Sequence, residues 1–465
     1  MGDIIDDRRT RWLLLGIYAL AFALRLAGAQ GSLWLDEAWS AMLAADVKTP
    51  VGVFWDINHD NNHHLNSLWL QSVGLSAPTV LMRALSIVAG TLTVPVAAAI
   101  ARPRGAVFAL VTALLFAISP VLVTLGSEAR GYAPMSLALL ISIRLVDRTL
   151  SEPEADNPST KIALCFLFGA LAQLTVLFGV IALMGWVFFA WWHRASFAVA
   201  VWQTLRLFAL PVAVLTAVLG LMVVAALSSE AGFEFAAYQT FTFLKFLHAV
   251  VELAGYTIGY PVVTIALPLL TLALLVLAPR FSVSRIAFYR LAIFGFPAAM
   301  VVLQTGNPGH PRYYLLAALA LLLMLGEMIG YGLTRTDRGR WIAGVALGAI
   351  AAGSLVQDLD LAMNRRGDPA AAIRALQRVK PEGATVMSDR TTGHDMLVIA
   401  ALQARYPLTL AGRRCPAPDF VFADRYKGEP RPDTFARCGI TYQPLVEREA
   451  HGLSGTHWTL YRRAP

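Results

Sequence analysis

Apolar runs of bilayer length recur along most of this chain, and they constrain its fold more than any motif does. They lie at residues 12–29, 79–101, 105–123, 132–146, 162–177, 178–193, 205–227, 261–278, 287–304, 313–332 and 341–357. A helix needs about 20 residues to cross the hydrocarbon layer, so runs of roughly 15–23 residues predict about eleven transmembrane helices. The stretch 162–193 is the least regular, too long for one crossing and short for two. With 57% of its residues hydrophobic and 15% charged, the chain lacks the charge to cover a soluble surface. Its net charge of +8 does not indicate nucleic acid, because Lys and Arg fall in short clusters between apolar runs, not along one stripe. Neither common Gly-rich nucleotide loop is present.

Those clusters set a predicted orientation. Arg8, Arg9 and Arg11 precede the first run, which reads as a retained signal-anchor because Arg25 interrupts its end; a cleaved signal peptide is the alternative. Arg102 and Arg104, Arg144, Arg148 and Lys161, His193 and Arg194, Arg280, Arg285 and Arg290, and Arg335, Arg338 and Arg340 then all share the N-terminal side. The positive-inside rule makes that side cytoplasmic. Residues 30–78, 126–132, 228–260 and 306–312 become outer loops, and an odd number of spans puts the C-terminus outside.

Residues 358–465 are charged and mixed in pattern, dividing the chain into a membrane domain, 1–357, and a small extracytoplasmic α/β domain. Helices are predicted at 369–379 and 393–404, and strands at 384–388, 419–423 and 456–462. Cys415 and Cys438 either pair there or remain free thiols; a bond would contribute about 3 kcal/mol.

The first outer loop is unusually polar for its surroundings. Asp36 and Glu37 are adjacent, and His59-Asp60-Asn61-Asn62-His63-His64 follows. Leu35, Ala38, Trp39, Met42 and Leu43 recur at helical spacing, predicting an amphipathic helix over 36–45 that lies on the membrane. Asp36 sits in its first turn. A helix cap would explain Asp36 alone, but neither Glu37 nor the polar cluster downstream. His59 and His63, four apart with an acid between, give a weak zinc pattern lacking an obvious third ligand. A zinc hydrolase or an orienting divalent metal stays open on that pattern alone.

Arginines should be depleted outside, yet Arg25, Arg83, Arg130 and Arg312 fall at outer span ends. Snorkelling to headgroups suffices for Arg25 and Arg83. Arg130, in Ser127-Glu128-Ala129-Arg130-Gly131-Tyr132, and Arg312, in His310-Pro311-Arg312-Tyr313-Tyr314, sit in polar turns beside tyrosines. Guanidinium forks suit a phosphate, which they grip through paired hydrogen bonds. A sugar carried on a lipid phosphate would need no general acid, and one carboxylate acting as base on the incoming hydroxyl implies inversion. Asp36 is the candidate base, with Glu37 orienting it or the acceptor. Lys245 and His248 either complete the site or are surface groups.

These stretches together resemble the GT-C superfamily of membrane glycosyltransferases, in its protein O-mannosyltransferase and aminoarabinose transferase branch. The resemblance rests on Leu33-Trp34-Leu35-Asp36-Glu37-Ala38, Asn61-Asn62-His63-His64-Leu65-Asn66, Arg83, Glu128-Ala129-Arg130-Gly131-Tyr132 and Arg312-Tyr313-Tyr314. It implies a polytopic α-helical fold in a bacterial-type cytoplasmic membrane and a polyprenyl-phosphate sugar as donor. It further implies a catalytic carboxylate in the first outer loop, which maps to Asp36. Donor phosphate contacts fall to Arg130, Arg312 and Tyr313, and substrate or acceptor contacts to Asn62, His63, Glu128 and Tyr132. Where many relatives read His-Pro-Pro this chain has His63-His64-Leu65, so its acceptor side differs. A transporter of lipid-linked saccharides is the other functional class, although its ionisable groups would gather at the midplane.

Overall fold

The computed structural model describes every residue except 1–6, 60, 153, 155, 230–231, 233–239, 262–282, 337, 413, 417, 427–428 and 465. The run at 261–278, Arg280 and Asp60 therefore fall outside the described residues, apart from residue 261. The other ten apolar runs are helical. Seven helices are long and apolar enough to cross a membrane, by length and composition, among the described residues. The stretch 162–193 resolves as two helices, Ser159–Ala172 and Val176–Arg194, separated by an extended Gln173.

The helix Leu315–Thr334 runs through the middle of the bundle and is buried along nearly its whole length. Gly326 and Gly330 make that possible. A Cβ on Gly326 would stand 2.2 Å from Thr112 Oγ1, and one on Gly330 2.8 Å from the Phe108 ring, so the backbone abuts helix Ala106–Ile118. On the predicted cytoplasmic side, Arg104 and Arg285 converge on Glu327, and Arg285 also pairs with Asp147. Two arginines read from sequence as topogenic loop charges thus belong to a largely buried ion cluster.

The last long helix, Arg338–Asn364, leads into the C-terminal domain. Six strands there pair in the order β2-β1-β3-β6-β5-β4: β1 Ala384–Ser388, β2 Leu408–Ala411, β3 Phe420–Arg425, β4 Phe435–Arg437, β5 Ile440–Arg448 and β6 His457–Arg463. β1 is parallel to β2 and β3, and the remaining pairings are antiparallel. Helices Ala370–Val379 and Thr391–Ala404 accompany the sheet. Cys415 and Cys438 form a disulfide.

The amphipathic helix of the first outer loop is present as Leu35–Asp46, with one side covered by protein and Trp39, Met42 and Leu43 half-buried. Leu35, Ala38, Ala41 and Ala44 share one core with Ile373, Leu376, Met396, Leu397, Phe422 and Trp458 of the C-terminal domain. Amphipathicity reveals that a face will be covered, not by what. The domain packs on the outer loop as part of a single core, at roughly 1.5–3 kcal/mol for each large apolar side chain buried.

Candidate active site

Asp36 lies in the first turn of helix Leu35–Asp46 with its side chain 15% exposed. Two arginines from far along the chain meet it. Arg130 Nη1 is 2.9 Å from Oδ2 and Arg312 Nη1 is 2.6 Å from the same oxygen. Burial raises the Asp36 carboxyl, but the Arg312 and Arg130 charges outweigh that and hold it below the usual carboxylate range. The structure therefore brings together the predicted base and both predicted phosphate-binding arginines around one carboxylate oxygen.

Several hydrogen-bonding groups around this triad are buried and unused. Among the described residues, His63 Nε2, the Tyr132 hydroxyl, Trp34 Nε1 and the Nε atoms of Arg130 and Arg312 have no hydrogen-bond partner. Buried polar groups are normally satisfied, so several idle ones around one carboxylate mark a site built for a ligand. Rings frame them. Arg312 sits over the Trp34 ring at 5.9 Å, Arg130 over the Tyr132 ring at 5.6 Å, and His63 leans on Tyr132 at 5.6 Å. Tyr313 packs edge-on against His310.

His63 has a defined tautomer. Its Nδ1 faces the Ala172 carbonyl at 3.2 Å, so Nδ1 donates and the lone pair falls on Nε2. Burial first, then the Arg130 and Arg312 charges, push the His63 pKa well below its ordinary value, and the ring is neutral. Gly131 permits this packing. A Cβ there would lie 1.7 Å from Ala172 O and 3.2 Å from His63 Nδ1, so no other residue fits between Arg130 and Tyr132.

Glu37 is wholly buried and its bonds are all spent inside the protein. It receives Arg83 Nε at 2.8 Å and also pairs with Arg83 Nη2. The backbone N–H groups of Ala129 and Trp34 donate to it at 2.6 and 3.2 Å. Burial raises the Glu37 carboxyl, and Arg83 more than reverses this. The turn at 128–130 is held from other directions as well: Asn66 Nδ2 donates to Ala129 O at 2.5 Å and Ser86 Oγ to Arg130 O at 2.8 Å. Every anchor of that turn bears on where the Arg130 guanidinium points.

Other predicted contacts are placed differently. Asn62 donates to Val53 O and Ile57 O and accepts from Ser67 Oγ, so its amide knits the loop to itself. Glu128 is fully buried, receiving Ser454 Oγ and facing Arg366 Nε at 3.7 Å. Asn62 stays half-buried within its loop, whereas Glu128 is sealed from solvent by contacts that include the C-terminal domain. Arg83 and Arg25 do not snorkel. Both are fully buried; Arg83 donates to the carbonyls of Ala29, Gly31 and Ser32, and Arg25 to those of Ala21, Phe116 and Ala117. Lys245 and His248 are exposed on helix Phe243–Ile258.

The two histidines of the zinc pattern do not lie on a helix. His59 precedes the helix His64–Val73, accepts from Asn61 N at 2.9 Å and meets the Trp39 ring. Only His63 Nδ1 is engaged, by Ala172, and among the described residues no three His, Cys, Asp or Glu side chains gather to hold a metal. Among the described residues, this pattern does not assemble a zinc site.

The whole architecture matches a solved structure. ArnT from Cupriavidus metallidurans, crystallised in the apo state, superimposes over 97% of this chain and 98% of its own, with a TM-score of 0.55 at 14% identity. The chain has the ArnT fold. The match extends over the small C-terminal sheet domain as well as the helices. The oligosaccharyltransferase of Archaeoglobus fulgidus, crystallised with Zn and sulfate, aligns over 89% of this chain and 68% of its own at a TM-score of 0.47 and 13% identity. No protein-family model matches the sequence, and no curated protein matches it. Within this ArnT-like fold, sequence reasoning missed Asn66, Ser86 and Arg366 as supports of the site. Only the spacing of Asn66 from Asn62, one helical turn, offered a signal.

Proposed function

We propose that this protein is an inverting glycosyltransferase that moves a sugar from a polyprenyl-phosphate carrier to an acceptor hydroxyl at the outer face of the membrane. One observation carries the reading: Asp36 is shared by Arg130 and Arg312 amid buried, unused hydrogen-bonding groups. Two guanidiniums at a lipid-level carboxylate match the charge of a phosphodiester, and the idle donors supply its remaining contacts.

The chemistry follows from the same geometry. In the empty site the arginines are neutralised by Asp36. A donor phosphate competes for both, and as it takes their charge Asp36 loses the stabilisation that weakens it as a base. Base strength thus rises only when the donor is bound. Asp36 then takes the proton of the acceptor hydroxyl, whose oxygen bonds to the anomeric carbon as the bond to the phosphate oxygen breaks. Arg130 and Arg312 receive the charge that accumulates on the departing polyprenyl phosphate, so no general acid is needed. Glu37 acts through Arg83 and Ala129 as a positioning residue, and neutral His63 offers Nε2 to a sugar or acceptor hydroxyl.

The test is direct. Protein in nanodiscs is given a panel of polyprenyl-phosphate sugars with envelope glycans and lipids, and free polyprenyl phosphate is measured by mass spectrometry. Release coupled to a new glycosidic bond supports the assignment. Movement of the lipid-linked sugar across vesicles without such a bond would make the protein a carrier instead.

A further inference from the structure

The chain turns from its last long helix into the C-terminal domain through residues whose backbone is unusual. Arg365, Arg366, Gly367 and Asp368 have φ of 53°, 57°, 85° and 39°. Three non-glycine residues in the left-handed region within four positions carry strain that surrounding contacts must hold. The contacts are on the page. Trp458 Nε1 donates to Gly367 O at 2.8 Å, and Asp368 accepts from Ser32 N at 3.1 Å. Thr456 joins in, its N–H donating to Arg366 O and its hydroxyl accepting from Leu35 N, the residue before Asp36.

This conformation drives the Arg366 side chain into the membrane domain, where it is fully buried. It donates to Gly28 O, to Thr124 O at 3.0 Å and to Ser127 Oγ at 2.8 Å, and its Nε is 3.7 Å from Glu128. Ser454 donates to Glu128 from the same domain. Ser127 and Glu128 open the turn that ends in Arg130, while Glu37 and Asn66 hold it at Ala129.

We propose that Arg366 is a positioning residue for Arg130, by which the C-terminal domain sets the phosphate-binding half of the site. The domain is therefore a structural member of the catalytic centre and not an independent appendage. Resting on the functional reading above, this makes the guanidinium of Arg366 act through Ser127 and Glu128 without touching donor or acceptor.

The experiment uses full-length protein in nanodiscs and undecaprenyl phosphate as the probe, its binding followed by native mass spectrometry. Arg366→Met is expected to weaken binding at least tenfold, and Arg366→Lys, which keeps the charge but not the fork, to lie between. In an Arg130→Met background, adding Arg366→Met should change the residual affinity less than twofold, since its effect runs through Arg130. Wild-type affinity in folded Arg366→Met or Arg366→Lys would overturn the proposal, as would additive losses in the double variant. If the unmodified protein does not bind undecaprenyl phosphate, the functional reading fails instead. The clasp is then judged by a thermal-unfolding cycle of Arg366→Met with Ser127→Ala, where coupling supports it and additivity overturns it.

Discussion

Glu37 holds Arg83 with both carboxylate oxygens in a pair that neither solvent nor any substrate can reach. The same carboxylate receives the Ala129 amide, so one charge ties the first outer loop and the start of helix Ala84–Ala101 to the Arg130 turn. The two adjacent acids are placed differently: Asp36 is shared by Arg130 and Arg312, whereas Glu37 is sealed against Arg83.

Removing one partner of such a buried pair leaves the other uncompensated, which costs about 3–5 kcal/mol. Glu37→Gln is therefore expected to lower thermal stability sharply in detergent, and Arg83→Met likewise. Asp36→Asn removes a carboxylate between two cations and should cost far less. Differential scanning fluorimetry of the three variants checks the order.

Gly131→Ala gives a second expectation. The added methyl has no room against Ala172 O, so the turn must shift and carry Arg130 and Tyr132 with it. Donor turnover should drop at least a hundredfold, consistent with a misplacement of about 1 Å, while size-exclusion behaviour stays that of folded protein. Turnover within a factor of three of wild type would remove the packing role.

Arg312→Lys tests charge against geometry. Lysine keeps the positive charge but loses the planar fork and the stacking over Trp34. The donor KM should rise about tenfold, or about 1.4 kcal/mol of binding, with kcat falling less. An unchanged donor KM would mean that Arg312 serves Asp36 and not the phosphate.

The pH behaviour follows from two lowered groups. Asp36 in the free enzyme titrates below the usual carboxylate range, and His63 well below the usual imidazole range. Because a polyprenyl-phosphate sugar is a phosphodiester with no titration near neutrality, kcat/KM should be flat from about pH 5 to 8. A limb near pH 6.5 that disappears in His63→Asn would contradict a neutral His63. Stability obeys the same sign. Asp36 and Glu37 have folded pKa values below their unfolded ones, so their contributions are complete above the usual carboxylate range and fade as pH falls through the lowered values. The lowered His63 and His64 act in the same direction from a higher starting point, because their unfolded forms take up protons below about pH 6.5. Unfolding midpoints should hold steady from about pH 7 to 8, begin to decline below about 6.5 and fall further below about 4.

Much of this architecture was legible because hydrocarbon imposes one simple rule on a spanning segment. The ten described apolar runs could be read as helices from length alone; Arg130 and Arg312 stood out as charges where membrane topology disfavours them, and Asp36 as half of an acidic pair in a polar loop beside the membrane. β2, β4 and β5 escaped because strands of three to nine residues in a polar domain leave no run or clear alternation. Arg25 and Arg83 looked like snorkelling residues, since sequence cannot show that backbone carbonyls wait for them. The helix Leu35–Asp46 was recognised but assigned to lipid, because its cover comes from residues more than 300 positions away. Arg366 lay in an ordinary charged stretch, and only its left-handed backbone shows where it goes.

The most direct measurement is sugar transfer by folded Asp36→Asn, with polyprenyl-phosphate binding assayed in parallel. The isosteric amide cannot accept the acceptor proton, and it no longer competes with phosphate for Arg130 and Arg312. Transfer should fall by at least a thousandfold while polyprenyl-phosphate binding holds or tightens. Near-normal transfer with intact binding would contradict Asp36 as the base and, with it, the central claim.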